Sequence, residues 1–389
     1  MEEHGMVSLE DYYSIGTGAA FDRHFLTARI RLDVTKIDEP GAVSFHFDGR
    51  EREVLGKRDY NAAIRSWRMD TLNLQYAGSR LYLAAGRLWP KDLPAERVDG
   101  VNAVYQKDAF GIGAFAGAKP DPYTEAFNTD FKAAGAYVIY RKAEFSGALS
   151  FVHNDYKGGT DRQYMYGNLT YMPLKEIFLY STVTADVNQD TKKPGLTNAS
   201  IEMNWRPDFT KSFTVGYNRF QAIRYYRSMA FNIYDSRQEA WYIGANYRIA
   251  ERYGVYGRLE RQYRYTTPAV PAGYDASTIY RVGLTGDNIM DAGINMNISA
   301  SVVDNYASRN DSYSIDVSKL YREVLQLVFT GSYNRNTYDI TTSSDNVYTL
   351  GASGYWLINK SWNASLALDR EQGETYSTNR LMTRVTFKF

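Results

Sequence analysis

The residues that could do chemistry are few. There are four histidines, His4, His24, His46 and His153, and none belongs to an H-x-x-x-H or E-x-x-H pair, so a histidine metal centre is not expected. Only His46 falls well inside a strand-like segment, with Ser44 and Asp48 on the same face. A hydrolase would need nucleophile, base and acid in hydrogen-bond relay. Spacing of i, i+2 and i+4 puts such residues about 7 Å apart along one strand, too far for a relay, so the set reads as a polar row. Asp287, Asn288 and Asp291 fall in a short turn, where turn chemistry explains them better than a Ca²⁺ site. No Gly-rich phosphate loop and no G-x-S-x-G elbow occurs. With no Cys there is no disulfide framework, no thiolate metal site and no covalent haem attachment. The chain is therefore expected to carry no cofactor and not to be an enzyme. A net charge of +1, from 45 Lys plus Arg against 44 Asp plus Glu, gives no pull toward nucleic acid.

What positions these residues is a repeated alternation. Leu26, Ala28, Ile30, Leu32 and Val34 alternate with Thr27, Arg29, Arg31 and Asp33. Ile294, Met296, Ile298, Ala300 and Val302 alternate with Asn295, Asn297, Ser299 and Ser301. Period 2 is the strand signature, and it continues through some 22 segments of about ten residues each. No apolar run approaches the length of a membrane-spanning helix, and mean hydropathy is −0.46. Met1-Glu2-Glu3-His4 has no apolar signal core, so an exported protein would be represented here by its mature chain.

The gaps alternate too. Short ones such as 77–79, 141–143, 172–175 and 357–360 separate long polar ones at 49–66, 118–131, 187–195, 221–237, 265–276, 335–345 and 370–378. Short turns on one side and long loops on the other describe a transmembrane β-barrel. In lipid every backbone group must be paired, and only a closed barrel achieves that with strands. Tyr76, Tyr140, Tyr171, Trp205, Tyr247, Trp356 and Trp362 stand next to short turns, and Phe389 ends the chain. Rings at one edge form a headgroup-level girdle. The expectation is one all-β domain over 1–389, an up-and-down antiparallel barrel of about 22 strands with periplasmic short turns and no plug domain, since the first strand begins within ten residues of Met1.

The closing segment Leu381-Met382-Thr383-Arg384-Val385-Thr386-Phe387-Lys388-Phe389 alternates and ends in Phe. In this the chain resembles Gram-negative outer-membrane β-barrels. The resemblance implies the cell outer membrane as location, its lipid as surroundings, and the barrel assembly machinery as a partner that reads Phe389. Gly86-Arg87, Asp99-Gly100-Val101 and Gly117-Ala118-Lys119-Pro120-Asp121-Pro122 give a looser likeness to porin-like barrels of metal-respiring bacteria. Some of those enclose a multihaem cytochrome.

Parity points one set of each strand at the lumen. Arg29, Arg31, Glu202, Arg258, Glu260, Arg264, Arg380 and Arg384 fall in that set, with Asp33 and Asp369. The signs are mixed, so pairing between neighbouring strands is expected rather than a strongly selective ring. Arg87 has no assigned face, because segment 80–89 is apolar on both. Loop 221–237 is too apolar for a solvated tip. Its Tyr225, Tyr226, Met229, Phe231 and Tyr234 are expected to narrow the barrel mouth or meet a partner. Loop 118–131 is polar and stiffened by proline, and is read first as surface and second as a constriction.

A 22-stranded barrel without a plug needs something in its lumen. Two functions follow. One is a porin-like channel passing small solutes or ions through a polar lumen. The other is a sheath around a multihaem cytochrome. The channel is preferred as the commoner use of the fold.

Overall fold

The structure is a computed structural model describing every residue except 18–21, 39–41, 56–66, 92, 94–95, 122–124, 224, 229–236, 266–275, 307 and 339–342. All regular structure is β. Twenty-two strands run from β1 (Glu2–Thr17) to β22 (Ser377–Lys388). Each pairs antiparallel with its neighbours in sequence, and β1 pairs with both β2 (Arg23–Thr35) and β22, which closes the barrel. Phe389 seals the seam: its N–H donates to the Gly5 carbonyl at 3.1 Å and its carbonyl accepts from Gly5 N–H at 2.9 Å. No sheet edge is left, as a chain in hydrocarbon requires.

Register settles which face is which. Val7 stands opposite Ile30 and Phe387, Leu9 opposite Val385, and Leu366 opposite Gly354. These residues belong to an exposed apolar belt that continues through Ile243, Val282, Leu284, Ile315, Phe329 and Leu350. A monomer in water would not expose so continuous a patch; here it is the lipid face. The aromatics named from sequence all lie on this outer face at the short-turn end, several in contact. Phe110, Tyr140, Phe145 and Tyr171 form one chain of rings, and Trp362, Phe387 and Phe389 another. The apolar belt and girdle place the barrel in the outer membrane.

Two expectations need correction. Strands run further than the alternation suggested. β3 (Val43–Val54) and β10 (Gly159–Leu174) extend into the gaps read as loops. The long-loop side is also uneven, because β9 (Phe145–Tyr156) meets β10 through Lys157-Gly158 alone. The reason is physical: beyond the lipid, the sheet ladder continues wherever neighbouring backbone pairs, with no demand for alternation.

The second correction concerns the interior. The lumen is not polar all round. The buried apolar core lies inside the barrel, on the inward face of β5 (Leu81–Leu88), β6 (Val98–Lys107), β7 (Phe110–Ala118), β8 (Phe131–Arg141), β9 and β10. It comprises Ala84, Val104, Phe115, Ala133, Tyr137, Ile139, Ala148, Val152 and Tyr164, joined by Leu88, Leu93 and Val98. Small residues let rings lie flat on this wall: a Cβ at Gly113 would come within 2.3 Å of the Tyr137 ring. This explains why segment 80–89 is apolar on both faces. One face meets lipid and the other meets protein.

Candidate functional site

Three segments on the long-loop side converge on this inner core. The first, residues 89–97, joins β5 to β6. Leu93 is buried, the Lys91 backbone N–H donates to Asn102 Oδ1 at 3.1 Å, and Glu96 is 4% exposed. Glu96 is the anchor. Its carboxylate accepts from Asn154 Nδ2 at 2.9 Å and Tyr164 Oη at 2.8 Å, both on the inner wall, and pairs with Lys119 Nζ at 2.9 Å. A buried carboxylate this well satisfied fixes the segment against the wall.

The second segment, 119–130, supplies Lys119 and Glu125. The Glu125 side chain pairs with Arg97, and its carbonyl accepts from Arg87 at 2.9 Å. Arg87 also grips both oxygens of Asp99 at 2.6 Å and the Met69 carbonyl at 3.0 Å. Strict alternation would put Arg87 in the lipid-facing row with Leu83 and Ala85. Gly86, at φ +120°, breaks the alternation and lets Arg87 turn away. A Cβ there would stand 2.2 Å from the Leu72 carbonyl oxygen. Burial lowers the Arg97 guanidinium below its ordinary pKa, and the neighbouring cations Arg68 and Arg87 lower it further.

The third segment follows β13 (Lys211–Gln221). Asp161, 3% exposed at the start of β10, accepts from the backbone N–H of Arg227 at 2.8 Å and of Ser228 at 3.0 Å. It also accepts from Ser228 Oγ at 2.6 Å. The Tyr225 ring lies 5.9 Å from both Lys119 Nζ and the Arg162 guanidinium. Tyr226 N–H donates to the Asp161 carbonyl at 3.0 Å. Of the five aromatic and apolar residues singled out in this loop, Met229, Phe231 and Tyr234 lie outside the described residues. Sequence reasoning missed 89–97 and Glu96. The available signal was Trp89-Pro90 and Leu93-Pro94 beside a charged pair, too much apolar surface and proline for a solvated loop.

The remaining wall carries the charges assigned by parity, and they sit in separate pairs rather than one cluster. Arg29 bonds Asp48 across strands at 2.5 and 2.8 Å. Arg31 bonds Asp33 at 3.0 Å. Arg380 bonds Glu371 at 2.8 Å, and Arg384 meets Glu10 across the closing seam. Arg258 bonds Glu260 at 2.7 Å and stacks on the Tyr242 ring at 3.9 Å, while Tyr242 Oη donates to Glu202 at 2.7 Å. The Arg264 guanidinium lies 4.2 Å from the Tyr306 ring.

The spacing argument at His46 was wrong. Ser44 Oγ is 3.0 Å from His46 Nε2, and His46 Nδ1 is 2.7 Å from Asp33 Oδ1. Side chains lean along a strand, and the acid comes from β2, where Asp33 is the register partner of His46. The two distances match a nucleophile–base–acid relay. Acyl transfer also needs donors for an oxyanion. Here β3 is paired on both edges, Phe45 opposite Val34 and Leu74, so backbone N–H groups are committed to the ladder. Ser44, His46 and Asp33 thus form one chain of hydrogen bonds whose strand offers no free backbone donor beside it. In the turn at 290–293, Asn288 Oδ1 accepts from Gly293 N–H at 2.8 Å and Asp291 pairs with Arg252 at 2.5 Å. That is turn chemistry, and no metal-ligating cluster occurs among the described residues.

No protein-family model matches the chain, and no curated protein matches its sequence. Solved outer-membrane barrels share its architecture. A mutant of the ferric enterobactin receptor PfeA of Pseudomonas aeruginosa aligns at 9% identity with a TM-score of 0.63, over 100% of this chain and 80% of that one. OccK11 (OpdR) of the same organism aligns at 12% identity and TM-score 0.47, over 100% and 96%. OccAB4 of Acinetobacter baumannii aligns at 11% and 0.48, over 100% and 99%. At 9% identity the likeness to PfeA is one of fold alone, an outer-membrane-type barrel, and this chain closes its own with 22 antiparallel strands.

Proposed function

We propose that the protein is a porin-like channel whose lumen is narrowed by its own segments 89–97, 119–130 and 221–228. The observation that carries this reading is Glu96, a carboxylate from a connecting segment held on the inner wall by Asn154, Tyr164 and Lys119. A barrel built to enclose a separate protein has no use for a dry core of its own against one wall. The paired lumen charges favour weak ion selectivity, because Arg29, Arg31, Arg258, Arg380 and Arg384 each have a carboxylate beside them. Small solutes or ions would pass along the polar wall, opposite the core.

The sheath around a multihaem cytochrome, as in some barrels of metal-respiring bacteria, is the alternative that the test addresses. The chain is purified from native membranes in mild detergent and stained for haem. The channel reading expects a haem-free protein. A stoichiometric haem-bearing partner, lost when residues 222–234 are removed, would replace that reading with the sheath.

A further inference from the structure

The outer face carries one cluster the channel does not use. On β13, β14 (Arg237–Ala250) and β15 (Tyr253–Tyr265), register puts Arg219 opposite Glu239 and Glu239 opposite Tyr263. Arg237 stands opposite Gln221 and Tyr265, and Arg261 opposite Trp241 and Thr278. All share the face of Val215, Ile243 and Leu259, which is the lipid face. The cluster centres on Arg219 and Glu239, eight residues above the Lys211–Tyr247 pair at the short-turn end, with Arg261 at six and Arg237 at ten. With a strand rise of 3.4 Å and the usual tilt, that is about 20 Å, the upper edge of an apolar band about 25 Å tall.

Arg219 and Arg237 share one carboxylate and Arg261 lies diagonal to it in register, so the four side chains carry a local charge of +2. Glu239 Oε1 is 3.4 Å from Arg219 and 3.3 Å from Arg237. The second contact is within ion-pair distance but lacks hydrogen-bond geometry. The Nε atoms of both arginines are buried with no acceptor among the described residues. Arg237 lies 4.1 Å over the Tyr265 ring and Arg261 5.6 Å from the Tyr263 ring. Trp241 packs tilted against Tyr217 just below, with ring centroids 4.4 Å apart. An excess of half-desolvated cation at the hydrocarbon edge is costly unless an anion meets it from the membrane side. Arginine forks match phosphate oxygens, and flanking rings sit at headgroup depth.

We propose that Arg219, Arg237 and Arg261 bind the phosphate of an anionic lipid in the outer leaflet, with its acyl chains lying over Val215, Ile243 and Leu259. The detergent-purified full chain is titrated with phosphorylated lipid A, with the same lipid dephosphorylated, and with inorganic phosphate, and bound lipid is read by native mass spectrometry. Phosphorylated lipid should bind about tenfold tighter than dephosphorylated lipid, and Arg219→Gln with Arg237→Gln should remove that preference. Glu239→Gln, which raises the local charge to +3, should tighten binding, a gain that misfolding cannot produce. Equal binding of the two lipids, or an unchanged double variant, would overturn the proposal. Competition by millimolar inorganic phosphate would overturn the lipid as source and leave a free-anion site.

Discussion

Glu96→Ala is expected to free residues 89–97 from the inner wall while leaving the barrel closed. The substitution strands Lys119 Nζ, Tyr164 Oη and Asn154 Nδ2 at once, all within 2.9 Å of the carboxylate in the native chain. Removing one partner of a buried ion pair costs about 3–5 kcal/mol. The loss falls on a connecting segment, because the β5–β6 ladder from Leu81–Tyr105 to Leu88–Val98 does not involve Glu96. Native-state hydrogen exchange should therefore quicken around 91–97 by two orders of magnitude or more, on the order of the 3 kcal/mol lower bound, with strand amides unchanged. Conductance should rise. Glu96→Gln keeps the two neutral hydrogen bonds and loses only the charge facing Lys119, so its effect should be smaller. Uniform quickening over all strands would mean that the inner core holds the barrel itself together.

The second large effect lies on the opposite face. Ile298 pairs with Leu284 and Ile315, well inside the exposed apolar belt. Arginine in the middle of the lipid face should cost about 2–4 kcal/mol. Asn297 is the adjacent residue but points inward. Its Nδ2 lies 3.3 Å from Asp316 Oδ2, and Tyr256 Oη donates to its Oδ1 at 3.2 Å. Asn297→Arg would gain Asp316 as a partner and should cost little. Urea unfolding in matched lipid vesicles compares the two. Equal losses would contradict the face assignment.

The barrel was legible because its two solvents differ. Lipid selects Ile298 and water tolerates Asn297, and the contrast repeats every second residue. It failed where that contrast vanishes. On β5 both Leu83 and Ala84 are apolar, one facing lipid and the other the inner core, so alternation could neither orient the strand nor reveal what covers it. Arg87 was unreadable for a related reason. Its direction is set by the positive φ of Gly86, and one glycine carries no mark of its conformation. The Ser44–His46–Asp33 contacts needed register, since the acid sits on another strand and only pairing reveals which residue faces His46. Tyr225 could be suspected of folding inward from composition. Asp161, which holds the next three residues, could not, because the two lie in distant segments with no shared periodicity.

The central claim is that this barrel is a channel narrowed by its own connecting segments. Single-channel recording in planar bilayers tests it most directly, using the purified chain beside a variant lacking residues 222–234. The native chain should conduct steadily without any added protein and with weak preference between cations and anions, and the variant should conduct more. A native barrel that shows only very large, noisy openings, or a deletion that leaves a steady conductance unchanged, would contradict the account.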